Sequence, residues 1–132
     1  MTQSTQAIQA LRFLQSFMPS SQLLVLTEAI QGEEKDHFEV LLIELMERIQ
    51  GMPKTYETDG LGLEAVAYLH YFANGADFYI TEKDMEPDQV QAFGLADLGQ
   101  GGELGYISIT ELQANGIELD LYWTPKLLKE IQ

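Results

Sequence analysis

An α+β fold is what this sequence predicts, with N-terminal helices packed on an antiparallel sheet of about five strands and a short C-terminal helix. Two observations carry the prediction. As far as Met52, apolar side chains return every three or four positions, the spacing of a helix buried along one stripe. Beyond Pro53 β-branched and aromatic residues alternate with others, and glycines concentrate between Gly60 and Gly116, the punctuation of short strands joined by turns. With 132 residues, 45% of them hydrophobic, the chain can bury one packed core. Residues 1–132 therefore read as a single domain, helical over 1–52 and an acidic sheet part over 53–132.

In the first helix Ala7, Leu11, Leu14 and Met18 share a face that Ala10 and Phe17 widen. Pro19, Ser20 and Ser21 interrupt the pattern, and Leu23, Leu26, Thr27 and Ile30 resume it over Gln22–Gln31; a short buried strand at 23–26 is the competing reading. From Glu33 to Gln50 the signal is strongest: Phe38, Leu41, Leu42, Leu45, Met46 and Ile49 line one face, and Glu44 and Arg48 stand at the favourable i,i+4 spacing. Acidic Glu33, Glu34 and Asp36 fall where the helix dipole favours negative charge, and Gly51 with Pro53 stops the helix. Strands are expected at Glu64–Phe72, Asp77–Thr81, Gln91–Asp97, Leu104–Ile107 and Ile117–Trp123, with Asn74-Gly75 as the tight turn between the first two. Ser108 and Glu111 have capping-box spacing, and Asn115-Gly116 suits a left-handed helix end, so a short helix is expected between them. Thr124-Pro125 reads as the cap and first position of a last helix carrying Leu127, Leu128 and Ile131.

Charge narrows the function classes. Seven Lys and Arg against twenty-one Asp and Glu give a formal net charge of -14, which disfavours direct binding to nucleic acid or an anionic membrane. Between Glu57 and Asp120 the single base is Lys83, so the sheet part is expected to display surface of nearly one sign. Without cysteine there is no disulfide framework, thiolate metal cage or Cys nucleophile. No apolar run approaches the ~20 residues a membrane span needs, and the first residues do not read as a signal peptide; a cytoplasmic location is the expectation.

Motifs for chemistry are weak. Glu82, Asp84, Glu86 and Asp88 alternate as calcium-loop ligands do, yet from either Glu82 or Asp84 the sixth position is not Gly and the twelfth is not an acid. Gly99, Gly101, Gly102 and Gly105 miss the phosphate-loop register, because Leu104 stands where the third glycine belongs, and Asp97 and Glu103 would repel a phosphate. Neither His37 nor His70 has a partner at helical metal-ligand spacing. Alternation places Val66, Tyr68, His70 and Phe72 on one strand face, so His70 is expected among aromatics. A hydrolytic site pairing His70 with Ser108 or Thr110 lacks any nucleophile motif. The residues point to no cofactor and no metal.

The segment Phe93-Gly94-Leu95, Asp97-Leu98-Gly99, Glu103-Leu104-Gly105-Tyr106-Ile107-Ser108-Ile109, Glu111-Leu112 and Trp123-Thr124-Pro125 resembles a small domain-of-unknown-function family carried on plasmids, integrative elements and phages. Residues 52–60, Leu69-His70-Tyr71-Phe72 and 77–82 are similar to it as well, so the likeness spans about residues 52–125. Membership implies a gene in accessory regions beside anti-restriction and other counter-defence genes, and it brings no catalytic residues to carry over.

Together these readings predict a non-enzymatic accessory protein of a mobile genetic element, binding a host or element-encoded protein through an acidic face. A basic nucleic-acid-binding complex is the natural target, making the chain a counter-defence inhibitor, anti-restriction or anti-CRISPR, that mimics nucleic acid. The face is assigned to Glu57, Asp59, Glu82, Asp84, Glu86, Asp88, Asp97 and Glu103. The alternatives are a small enzyme with a His70-centred pocket, and a homodimer through an exposed sheet face acting as a structural accessory.

Overall fold

The computed structural model describes residues 1–131. Three α-helices come first: α1 (Gln3–Phe13), α2 (Ser20–Ala29) and α3 (Lys35–Gly51). Seven strands and one short helix follow: β1 (Val66–Ala67), β2 (Leu69–Ala73), β3 (Ala76–Glu82), β4 (Ala92–Asp97), β5 (Gly102–Ile107), α4 (Ile109–Ala114), β6 (Glu118–Leu119) and β7 (Lys126–Leu127). Five strands form an antiparallel sheet in the order β5-β4-β3-β2-β6, while β1 and β7 pair as a separate two-stranded ribbon. The α+β class with helices against a five-strand sheet is therefore what the chain adopts.

Local chemistry accounts for most boundaries. The Thr2 hydroxyl accepts from the Thr5 N–H at the start of α1, and buried Ala7 and Ala10 let that helix lie close against α3. Segment 20–29 is helix and not strand: Gln22 and Leu26, one turn apart, point inward, while Leu24 and Val25 face solvent. Ser108 caps α4 by accepting from the Glu111 N–H at 3.1 Å, and Gly116 takes φ +70° just beyond the helix end. Gly75 takes φ +76° in the two-residue β2–β3 turn.

Three sequence expectations are corrected. The stretch 64–72 is not one strand: a 3₁₀ turn occupies Gly62–Glu64, then β1 pairs with β7 while β2 joins the main sheet. The strand expected over 117–123 stops at Leu119, because the Asp120 carboxylate accepts from the Tyr122 N–H at 3.0 Å and turns the chain. In place of a last helix the chain forms β7 and a single 3₁₀ turn, Leu128–Glu130; the Leu128 N–H donates to the Ala65 carbonyl and its side chain packs on Ala65 and Ala67. Tertiary pairing here overrides the Thr-Pro start signal.

One face of the sheet is covered by the helices and the other only in part. On one side Leu42, Leu45 and Ile49 of α3 and Leu14 and Met18 meet Leu69, Tyr71 and Ile80. On the other side, the outer face, the 65–67 and 123–131 segments lay Leu128, Trp123 and Ile131 over Tyr79 and Leu95. The edge strand β6 is capped by a side chain: the Gln22 amide donates to the Leu119 carbonyl at 2.8 Å and accepts from its N–H at 3.0 Å.

Tyr71 is fully buried and donates its hydroxyl to the Phe17 carbonyl. Burial pushes this phenol far above its ordinary range. In the unfolded chain the phenol ionises near about pH 10, whereas the folded phenol stays neutral. Stability is therefore full below that pH and falls as pH rises through it. Tyr71→Phe is expected to lose about 1 kcal/mol at neutral pH, from the orphaned carbonyl, and to show a shallower alkaline decline than the parent in urea unfolding.

Candidate functional site

The eight acids assigned to a face do not share one environment. Glu82 and Asp84 are corrected: both are buried, because each holds a loop by its backbone N–H groups. Glu82 accepts from the Tyr56 N–H at 2.9 Å, from the Thr58 N–H at 2.8 Å and from the Thr58 hydroxyl. Asp84 accepts from the Glu86 N–H at 3.1 Å and the Gln91 N–H at 3.0 Å, and Gln89 clamps the same loop through the Asp84 N–H and carbonyl. These hydrogen bonds tie the 84–91 turn together. Glu57, Asp59, Glu86, Asp88 and Glu103 are exposed and Asp97 is half-buried. Glu57 accepts from the Lys54 N–H at 2.6 Å, and Asp97 from the Gly99 N–H at 2.8 Å.

Nor do the eight form one patch. Pairing sets Asp97 opposite Asp77 at one end of β3 and Phe93 opposite Glu82 at the other, five residues or roughly 17 Å along the strand. Asp97 and Glu103 lie near the first end; Glu57, Asp59 and the 82–88 acids gather beyond the second.

The outer face holds two groups of interest. Near the hairpin end, Glu118, Phe72, Asp77 and Asp97 stand in one register row across β6, β2, β3 and β4. Two carboxylates directly opposite each other are repulsive, and His70 lies beside them: its Nε2 is 2.7 Å from an Asp77 oxygen and its Nδ1 2.9 Å from an Asp120 oxygen. The ring stacks on Tyr79 with centroids 4.8 Å apart and lies 5.1 Å from Trp123, whose indole N–H donates to the Ala67 carbonyl. Burial first, then Asp77 and Asp97, push the Tyr79 phenol upward. Arg48, expected to pair with Glu44, donates to the Trp123 carbonyl at 3.0 Å. Sequence reading missed Asp77, Glu118 and Asp120 as members of this group, although strand alternation already put His70 with Phe72.

The second group lies where β4 and β5 emerge from under the C-terminal segment. Tyr56, at φ +79°, reaches Tyr106 with hydroxyl oxygens 2.6 Å apart, and Tyr106 stands edge-on to Phe93 at 5.8 Å. Tyr56 and Tyr106 are 56% and 57% exposed, an uncommon state for paired aromatic rings. The Tyr56 hydrogen bond is the largest influence raising the Tyr106 phenol, with burial next and the charges of Asp59 and Glu82 acting the same way. Beside the rings Asp59, Glu82, Phe93 and Leu104 line a cleft of about 320 Å³.

Both His70 ring nitrogens stand within hydrogen-bond distance of carboxylate oxygens, of Asp77 and Asp120. Among the described residues no group of three or more His, Cys, Asp or Glu is placed to hold a metal ion, and no helix is long and apolar enough to cross a membrane.

Compared with known proteins, residues 40–125 match the family described as "Protein of unknown function (DUF2958)". The match begins inside α3, twelve residues before the start of the likeness read from the motifs, so all but the first five residues of that helix belong to the shared region. No curated protein and no solved structure matches the chain.

Proposed function

The chain belongs to the DUF2958 family, and we propose that it acts by binding another protein, not by catalysis, through the open half of its outer sheet face. The observation that carries this reading is the exposed pair Tyr56 and Tyr106, resting on half-buried Phe93, with Asp59 and Glu57 beside it. Binding energy at protein interfaces concentrates in aromatic anchors, while surrounding charges govern encounter and choice of partner. With a net charge of -14, the partner surface that fits is basic.

The finer form of the proposal is a cytoplasmic accessory protein of a plasmid or phage that occupies the nucleic-acid groove of a host or element-encoded defence complex. It rests on the charge and on the motif resemblance. The test is capture of partners from host cells by the tagged chain and by its Tyr106→Ala variant, identified by mass spectrometry. We expect a basic protein that is released by salt and by competing DNA and is lost with Tyr106→Ala. Capture profiles identical for the two chains would refute the assignment of this face.

A further inference from the structure

With three acids for every base, each basic side chain has ample opportunity for ion pairing. Arg12, Lys54 and Lys83 do otherwise: from the end of α1, the turn after α3 and the residue after β3, they converge on one cleft of about 380 Å³. The convergence is built into the backbone. Lys54 and Lys83 are bridged side by side, with the Thr55 N–H donating to the Lys83 carbonyl at 2.8 Å and the Lys83 N–H to the Pro53 carbonyl at 3.0 Å. Lys83 Nζ donates to the Ile49 carbonyl at 2.6 Å and the Gln50 carbonyl at 3.3 Å, which fixes the ammonium at the end of α3. Those two bonds leave a third donor on Nζ.

None of the three is neutralised by an acid. Among the described residues, Lys129 with Glu64 is the one lysine or arginine in a salt bridge with a carboxylate. Asp84 also lines the cleft, but it is buried and its oxygens are occupied by the Glu86 and Gln91 N–H groups. Burial and the neighbouring Lys54 push the Lys83 ammonium down, with Glu57 acting the other way. An anion entering the cleft would meet these three cations, whose charge Glu57 and Asp84 offset only in part. The remaining wall is mostly apolar, from Phe13, Phe17, Met85 and Pro87, with the polar Ser16 and Gln89 between them.

We propose that this cleft binds a small molecule carrying a phosphate group on an apolar body, the phosphate held by Arg12, Lys54 and Lys83 and the body resting against Phe13 and Met85. Asp84, Glu86 and Asp88 lie beside the cleft and oppose an anion there; exposed charges more than ~8 Å away are largely screened at physiological ionic strength, whereas the three cations act at contact. The site shares none of its lining side chains with the aromatic face proposed to bind protein, which it adjoins through the Lys54 N–H donating to Glu57.

The experiment is an amide-shift titration of the full chain with phenyl phosphate, with inorganic phosphate and benzyl alcohol as the two half-ligands. We expect saturable shifts confined to residues 12–17, 53–55 and 83–89, with phenyl phosphate binding at least about tenfold tighter than either half-ligand. Arg12→Gln with Lys54→Gln, both exposed positions, is expected to weaken binding at least about tenfold while leaving the remaining spectrum unchanged. Lys83 is left intact because it caps α3. Shifts that fail to saturate, that scatter over the surface, or that persist undiminished in the double variant would overturn the proposal. Equal affinity for phenyl phosphate and inorganic phosphate would overturn the role of the apolar wall.

Discussion

Gly94→Ala is expected to destabilise the protein by about 3 kcal/mol or more, enough to leave much of a marginally stable domain unfolded. Gly94 lies in the middle of β4 opposite Ile80, where β3 shifts register between Ile80 and Glu82. A Cβ at this position would lie 1.9 Å from the Tyr79 carbonyl oxygen and 2.9 Å from its carbon. Both are backbone atoms of the central strand, so no rotamer change relieves the clash and the sheet itself must move. Gly105, the β5 residue paired with Gly94, supplies the control: a Cβ there meets nothing within 4 Å. Gly105→Ala is expected to be neutral or to gain up to about 1 kcal/mol through reduced backbone entropy of the unfolded chain. Urea unfolding of the two variants beside the parent checks both; equal stability for all three would contradict the register described.

Glu82→Ala is expected to cost about 2–4 kcal/mol and to release the 55–60 turn. The carboxylate is 3% exposed and serves two backbone N–H groups and a hydroxyl, all from a segment 24–26 residues away in sequence. Truncation leaves those donors buried without an acceptor. It also removes what holds Tyr56 at φ +79°, a conformation whose strain is of order 1–3 kcal/mol for a non-glycine residue. Glu82→Gln keeps one accepting oxygen and should lose less. Amide hydrogen exchange reads the effect locally: the Tyr56 and Thr58 amides should exchange much faster in Glu82→Ala while those of α3 keep the parent's order of protection. Unchanged protection at Tyr56 and Thr58 would show that the turn stands without Glu82.

These two residues also mark where sequence legibility ends. Periodicities of the helices and sheet were readable because they depend on neighbours within one turn or one pleat; the Ser108 cap, the Gly116 helix end and the Asn74-Gly75 turn are equally local. Glu82 and Asp84 read as surface charge because their alternation with Glu86 and Asp88 looks solvated, and only the fold reveals that distant loop amides enclose them. The same holds for the last residues, where Leu128 is withdrawn from a helix by pairing of β7 with Val66–Ala67. Asp120 reads as a strand residue until its two oxygens are seen to hold the Tyr122 N–H and His70. Of the candidate face, Glu57 and Asp59 end beside the aromatic group that the strand pattern only hinted at through Tyr106, whereas Asp97 and Glu103 lie towards the opposite end of the sheet.

The central functional claim is that the face bearing Tyr56, Tyr106 and Asp59 supplies the binding energy for a basic partner. Its most direct measurement is the dissociation constant of the purified captured partner for the parent and for Tyr106→Ala with Asp59→Asn, by calorimetry at low and high salt. Loss of a central aromatic anchor of about 2 kcal/mol corresponds to roughly 30-fold weaker binding. The account predicts a weakening of at least about tenfold for the double variant, with a shallower salt dependence than the parent. An unchanged dissociation constant at both salt concentrations would contradict it.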